Sequence, residues 1–291
     1  MLILISDAFD PGLPGVLKKY GDVTDDKARL PEAEIVLIRS KTKVTKEYID
    51  SAPKLKMVIR GGVGLDNVDR EYAKQKGIIV YNTAAASSVA VAELAMALML
   101  ALPNQVARGD KSMHEGQWLK KEIKRTELFC KTLGILGIGR IGTEIAIRAK
   151  AFGMNVIAFD PFVKTHAIAG LVPTLKDLLN KADYISLNMP LTDDTKGMFN
   201  KNTLAECKTG AYIINTGRGK CIIEEDMVEA LKGGKIAGYA TDVWYSDPPE
   251  NSPLMGAPNV VMMPHVGAET KENLLRIGVI VDQLIGEYVK K

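Results

Sequence analysis

The side chains best suited to chemistry sit where apolar runs end. His265 follows the run Val260–Met263, within Pro264-His265-Val266-Gly267-Ala268. With an ordinary pKa of about 6.5, a histidine can take up and release a proton near neutrality. Arg218 follows another run, in Asn215-Thr216-Gly217-Arg218-Gly219, where two glycines leave room beside the guanidinium. Such a planar fork can grip a carboxylate or a carbonyl oxygen through two bonds. Asp242 closes a third run, and Asp247 follows in Trp244-Tyr245-Ser246-Asp247-Pro248-Pro249. One of these carboxylates is expected to hold one imidazole nitrogen of His265 and stabilise the charged ring. The other two histidines, His114 in a polar stretch and His166 in a loop, read as loop residues bonded to backbone.

A second constellation is a phosphate loop. Leu133–Leu136 reads as a buried strand running into Gly137-Ile138-Gly139-Arg140-Ile141-Gly142, followed by the helical stretch Thr143–Phe152 and a strand ending at Phe159-Asp160. Gly-x-Gly-x-x-Gly alone is a weak signal, but the full strand–loop–helix–strand–acid order is specific. Gly137 permits the tight turn, Gly139 lets backbone approach a pyrophosphate, and Gly142 allows close helix–strand packing. Asp160, eighteen residues past Gly142, is placed to accept hydrogen bonds from both ribose hydroxyls and to repel a 2′-phosphate. No arginine follows it directly, although Lys164 is near, so NAD is expected rather than NADP.

The elements that must position these groups alternate along the whole chain. Strand candidates Leu2–Ile5, Ile35–Ile38, Met57–Ile59 and Ile78–Val80 are interleaved with helical stretches such as Thr45–Ser51 and Val68–Lys76. A second series holds Leu133–Leu136, Asn155–Phe159, Tyr184–Leu187, Ala211–Ile214, Gly238–Val243 and Asn259–Met262. Such alternation predicts two doubly wound parallel sheets. Ser87–Leu102 is apolar all round and is predicted to be a buried helix linking two domains. Glu269–Lys291 reads as an amphipathic helix with Leu274, Ile277, Val281 and Ile285 on one face, returning to the first domain. The expected division is 1–97 plus 270–291 for one domain and 98–269 for the other.

Composition narrows the classes further. The 291 residues include 38 basic and 35 acidic side chains, a net charge of +3, which removes the strongest argument for nucleic acid or an anionic membrane as partner. Cys130, Cys207 and Cys221 are an odd number without CxxC spacing, which favours reduced thiols and a cytoplasmic location; no metal site is expected. The start Met1-Leu2-Ile3-Leu4-Ile5 lacks the basic region of a signal peptide, and the apolar run Val89–Leu102 is interrupted by Glu93. A soluble protein is expected.

With these residues assembled, the chain resembles the D-isomer-specific 2-hydroxyacid dehydrogenase family. The likeness covers nearly the whole chain. Leu4-Ile5-Ser6-Asp7, Ile38–Thr45 and Arg60-Gly61-Gly62-Val63-Gly64-Leu65-Asp66-Asn67-Val68-Asp69 match its substrate domain, a flavodoxin-like fold. Val91-Ala92-Glu93-Leu94-Ala95 matches the linking helix. Gly137–Gly142, Pro190–Thr195, Asn215–Gly219 and Pro264–Thr270 match its Rossmann cofactor domain. The resemblance implies that Arg218 binds substrate, His265 exchanges the proton and Asp247 pairs with it. It further implies that Arg140, Ile141, Asp160, Met189, Pro190, Thr195, Thr216, Gly217, Asp242 and the turn His265–Gly267–Ala268 line NAD. Gly62, Val63 and Gly64 would present amides to the substrate carboxylate as an anion nest.

The same resemblance points to a small 2-hydroxy acid, oxidised through His265. Arg60 matches the branch specific for D-3-phosphoglycerate, whose oxidation to 3-phosphohydroxypyruvate opens serine synthesis. Arg39, Lys41 and Lys43 form a second basic group, and Trp118-Leu119-Lys120-Lys121 resembles the stretch that reaches a neighbouring subunit in a homodimer. Alternatives are a glyoxylate or hydroxypyruvate reductase and, from another class, an NAD-sensing binding protein. Rocking of the two domains near Ala97 and Thr270 is expected to close the site. Two departures stand out: Asp247 is shorter by one bond, ~1.5 Å, than the family's glutamate, and Gly217 replaces the commoner alanine, a change expected to loosen the loop. The chain also stops before the regulatory domain of longer relatives, so serine feedback is not expected.

Overall fold

In the computed structural model, which describes residues 1–290, the chain forms two compact α/β units, Met1–Ala90 with Ala268 onward, and Val91–Gly267. The boundaries fall earlier than the sequence placed them, inside the helix Ala84–Ala101 and just after the His265 turn.

The first unit carries a five-stranded parallel sheet of β1 (Leu2–Ile5), β2 (Asp22–Thr24), β3 (Ile35–Ile38), β4 (Met57–Arg60) and β5 (Ile79–Asn82), in the order β2-β1-β3-β4-β5. This is the flavodoxin-like order, whose direction reverses between β1 and β3. The strand β2 escaped the sequence reading because Asp22-Val23-Thr24 is a short, polar edge strand paired on one side only. Edge strands do not need the continuous apolar run that burial on both faces imposes.

The tail forms the helix Lys271–Val289 and packs on this sheet. Ile277, Val281 and Ile285 are fully buried against Ile3, Leu17, Ile35 and Ile59. Burying each such side chain contributes about 1.5–3 kcal/mol, an upper figure for the real unfolded chain. Thr270 caps the helix by accepting from the Asn273 amide. The expected stripe is shifted at its start: Asn273, not Leu274, is the buried residue, and its side chain donates to the Ala268 carbonyl and Ser87 Oγ.

The second unit holds a seven-stranded parallel sheet in the order β12-β11-β10-β9-β6-β7-β8. Its strands are β6 (Thr132–Leu136), β7 (Asn155–Phe159), β8 (Gly170–Leu171), β9 (Tyr184–Leu187), β10 (Ala211–Asn215), β11 (Ile236–Thr241) and β12 (Val260–Met262). The two-residue edge strand β8 is the one the apolar pattern did not reveal. From β7, through β6, to β9 and β10 the order reverses, which opens a ligand crevice at the carboxyl ends of β6 and β9. The helix Ala84–Ala101 is long and apolar enough to cross a membrane by composition, yet Ala92, Ala95, Met96 and Met99 lie in the core beneath β6.

The three cysteines differ sharply in environment. Cys130 is exposed, whereas burial pushes the Cys207 thiol up to about 12 and raises that of Cys221 as well. Because the thiolate is the reactive form, Ellman's reagent should titrate one thiol per native chain and three after unfolding. Rapid labelling of all three in the native protein would contradict this packing.

Candidate active site

The phosphate loop is built as its glycines require. Gly137 has φ +83, and a Cβ there would lie 3.0 Å from the Asn188 carbonyl. Its amide donates to Phe159, tying the turn to β7. A Cβ on Gly142 would stand 2.3 Å from the Gly137 oxygen, whereas one on Gly139 would meet nothing within 4 Å. The loop is therefore closed on the protein side and open where a pyrophosphate would approach, with Arg140 exposed at the start of the helix Arg140–Ala151 and Ile141 half-buried behind it. Asp160, at the tip of β7, accepts from the Ile138 amide through Oδ2 and from the Phe162 amide through Oδ1. These bonds fix the plane of the carboxylate.

At the ends of the next two strands, Met189 is buried, and Thr195 Oγ1 donates to the Pro190 carbonyl, closing the turn 190–195. Thr216 Oγ1 and Asn188 Oδ1 are buried without a hydrogen-bond partner among the described residues. Orphaned acceptors at adjacent strand ends suit a polar ligand, since an unpaired buried polar group costs about 1–3 kcal/mol.

Asn215, missed by the sequence reading, organises the Arg218 loop. It is fully buried; Oδ1 accepts from the Gly217 amide and Nδ2 donates to the Arg218 carbonyl. A polar residue closing the apolar run Ala211–Ile214 was the signal available. The Arg218 guanidinium turns back to donate to the Gly217 carbonyl. Gly217 does not loosen this loop. A Cβ there would be 2.9 Å from the Leu187 oxygen, so the glycine lets the loop lie directly on β9.

His265 stands in the left-handed region at φ +57, a conformation that costs about 1–3 kcal/mol and persists only where its surroundings impose it. Asp242 supplies that constraint: its two oxygens accept from the Val266 and Gly267 amides, each at 2.8 Å. Burial pushes the Asp242 carboxyl up, and the two amides oppose the rise. Asp242, expected to line NAD, therefore also shapes the turn His265–Ala268.

His265 Nδ1 lies 2.5 Å from Asp247 Oδ2. The shorter aspartate reaches the ring because its loop is fastened on both sides. Trp244 Nε1 donates to the Met263 carbonyl, Tyr245 OH to the Ile222 carbonyl, and Ser252 Oγ to the buried Glu224 carboxylate. With Nδ1–H held by Asp247, Nε2 is the nitrogen that can exchange a proton.

The predicted substrate turn belongs to the first unit. The Arg60 guanidinium lies over Gly62, where a Cβ would be 1.9 Å from Nη1. The Gly61 and Gly62 amides are taken up by Ile38 and Thr83, so the Gly62 amide expected to face the substrate carboxylate is already engaged. Arg39 packs beside Gly61 and makes a two-bond ion pair with Glu269. At the β1/β3 reversal, a cavity of about 280 Å³ is lined by Lys27, Lys41, Lys43, Thr42, Ser6 and Tyr48, with Leu4 and Leu30. None of those lysines makes an ion pair among the described residues.

Residues 96–267 match the family model for the NAD-binding domain of D-isomer-specific 2-hydroxyacid dehydrogenases. The chain belongs to that family. It is 43% identical over 262 residues to a hydroxypyruvate reductase of Thermotoga maritima, covering 89% of this chain and 86% of that relative. It is 40% identical to a D-3-phosphoglycerate dehydrogenase of Methanocaldococcus jannaschii, across 99% of this chain but 57% of the other. The chain thus spans little more than half the length of the phosphoglycerate dehydrogenases it matches. Among solved structures, a D-lactate dehydrogenase of Aquifex aeolicus complexed with NAD and lactic acid superposes with a TM-score of 0.87 at 29% identity, covering 100% and 96% of the two chains. The domain matched is an NAD-binding one, and the open glycine turn, the oriented Asp160 and the orphaned Thr216 hydroxyl fit NAD.

Proposed function

We propose that the protein oxidises D-3-phosphoglycerate to 3-phosphohydroxypyruvate, the first step of serine synthesis. The lysine-ringed cavity carries this choice of substrate. It and the Arg60 turn lie at the carboxyl end of one sheet, and three lysines without acidic partners suit a phosphate dianion. His265 Nε2 accepts the C2 hydroxyl proton, Asp247 stabilises the resulting imidazolium, and Arg218 holds the carboxylate and polarises the forming carbonyl. NAD, when bound, supplies the hydride acceptor. In the reverse direction, protonated His265 is the acid.

The test is NADH formation from D-3-phosphoglycerate at alkaline pH with a trap for the keto product. Replacing Lys41 and Lys43 with alanine should raise KM for phosphoglycerate about tenfold, ~1.4 kcal/mol, and change KM for D-glycerate much less. No turnover of phosphoglycerate, with brisk reduction of hydroxypyruvate or glyoxylate, would overturn the substrate and keep the mechanism.

One observation favours that second reading, a hydroxypyruvate reductase: Glu269 neutralises Arg39, removing a cation beside the glycine turn. On the phosphoglycerate reading, Glu269→Gln should raise kcat/KM for phosphoglycerate relative to D-glycerate about tenfold. An unchanged ratio would show that Arg39 does not sense the phosphate. A homodimer belongs to the same proposal, supported by the exposed Val106, Met113 and Trp118, and light scattering tests it.

A further inference from the structure

His166 has no part in the reaction described above, yet it is the most fully engaged of the three histidines. Its Nδ1 accepts from the Ile168 and Ala169 amides at 3.3 and 3.1 Å. A nitrogen accepting two N–H bonds carries no proton, so Nε2 is the nitrogen that bears the ring's hydrogen. Nε2 lies 3.1 Å from Thr143 Oγ1, which in turn donates to the Gly139 carbonyl at 2.9 Å. The chain of bonds therefore runs from loop 160–169, through Thr143 on the first turn of the helix Arg140–Ala151, into the phosphate loop.

The same loop is fastened at its other end by Asp160, which grips the Ile138 amide. Between the two clasps the loop carries Phe162, 92% exposed, at its crest. A segment bonded to the glycine turn at both ends is a wall of the site, because its position is set by the turn that receives the pyrophosphate.

We propose that His166 is a positioning residue for the cofactor: acting through Thr143, it latches loop 160–169 against the phosphate turn and so sets the adenosine half of the NAD site. The proposal rests on the reading of Asp160 as the acid that holds the ribose. Local loop capping alone would need only Nδ1. The Nε2 bond to a different element, and onward to Gly139, is what couples the loop to cofactor binding.

Three variants separate these roles. His166→Asn keeps an acceptor near the Nδ1 position for the two amides, as asparagine does in its own turns, but is too short for Thr143. Thr143→Val removes the hydroxyl while leaving the loop cap untouched, and Thr143→Ser retains it. The dissociation constants of NADH and of ADP-ribose are measured by calorimetry, beside Tm and kcat at saturating NAD. His166→Asn and Thr143→Val should each weaken NADH and ADP-ribose by the same factor, about three- to tenfold, with kcat unchanged. Thr143→Ser should bind as the parent does, and the double variant should be no weaker than either single one.

Unchanged ADP-ribose binding in Thr143→Val would overturn the latch, as would a loss confined to NADH or to Tm. Asp160→Ala is the control on the underlying reading. If it leaves ADP-ribose binding intact while the latch variants lose it, the ribose assignment fails, and with it the placing of the latch at the adenosine half. If none of them loses binding, both fail.

Discussion

Replacing His265 with alanine should lower kcat by about 10²–10⁴-fold, the range expected for removing a general acid/base, with NADH affinity little changed. The ring occupies a left-handed turn, so a second variant guards against a backbone effect. His265→Asn tolerates positive φ better than alanine and can still face Asp247, but its amide cannot exchange a proton at neutral pH. Both variants should lose turnover to a similar degree while Tm and the NADH dissociation constant stay near those of the parent.

Asp247→Asn should cost less, about 10- to 100-fold, because it removes a charge-assisted hydrogen bond of about 1.5–3 kcal/mol rather than the reacting nitrogen. It should add little to His265→Ala, since the two act as a unit. Retention of more than a tenth of the parental kcat in both His265 variants would assign the proton to another group. Stopped-flow measurement of single turnovers separates that outcome from slow product release.

The second large effect is expected at Gly142. An added Cβ would stand 2.3 Å from the Gly137 carbonyl oxygen, a contact with backbone that no rotamer can relieve. The helix Arg140–Ala151 and the glycine turn must move apart, and overpacking of this kind costs about 1–3 kcal/mol. On the reading of this turn as the pyrophosphate site, Gly142→Ala should weaken NADH roughly 10- to 100-fold, at about 1.4 kcal/mol per decade. Gly139→Ala, where a Cβ meets nothing within 4 Å, tests the opposite face. It should leave Tm unchanged and weaken NADH alone, because only the ligand would meet the new methyl group. Equal losses of Tm in both variants would mean that the loop is merely structural.

Both arguments rest on short-range features that the sequence displayed. The apolar runs of β1, β3, β4, β6, β9, β10 and β11 are legible because parallel strands buried on both faces are apolar throughout, and the edge strands β5 and β12 because they open on Ile79-Val80 and Val260-Val261. The residues at their carboxyl ends were legible because that is where such sheets open onto ligands. His265, Arg218, Asp242 and Asp247 stood out for that reason. The strands β2 and β8 did not, because an edge strand of two or three residues makes no demand on composition. Asn273 displaced Leu274 from the buried stripe because the helix's first turn answers to the Ala268 carbonyl and Ser87 rather than to helical periodicity.

By itself, then, the sequence determined two wound parallel sheets, the phosphate turn with its acid, and the acid–histidine–arginine set at the strand ends. Those follow from local rules of period, glycine geometry and spacing. Only the tertiary structure decided which charges meet. It tied Arg39 to Glu269, two residues 230 positions apart, and set the Ser252 hydroxyl on the buried Glu224 carboxylate. It also turned His166 from a loop residue into a bond between two elements. Such pairings depend on where the chain returns after each crossover, and no local pattern carries that information. A charged side chain is equally compatible with solvent until a partner is folded against it.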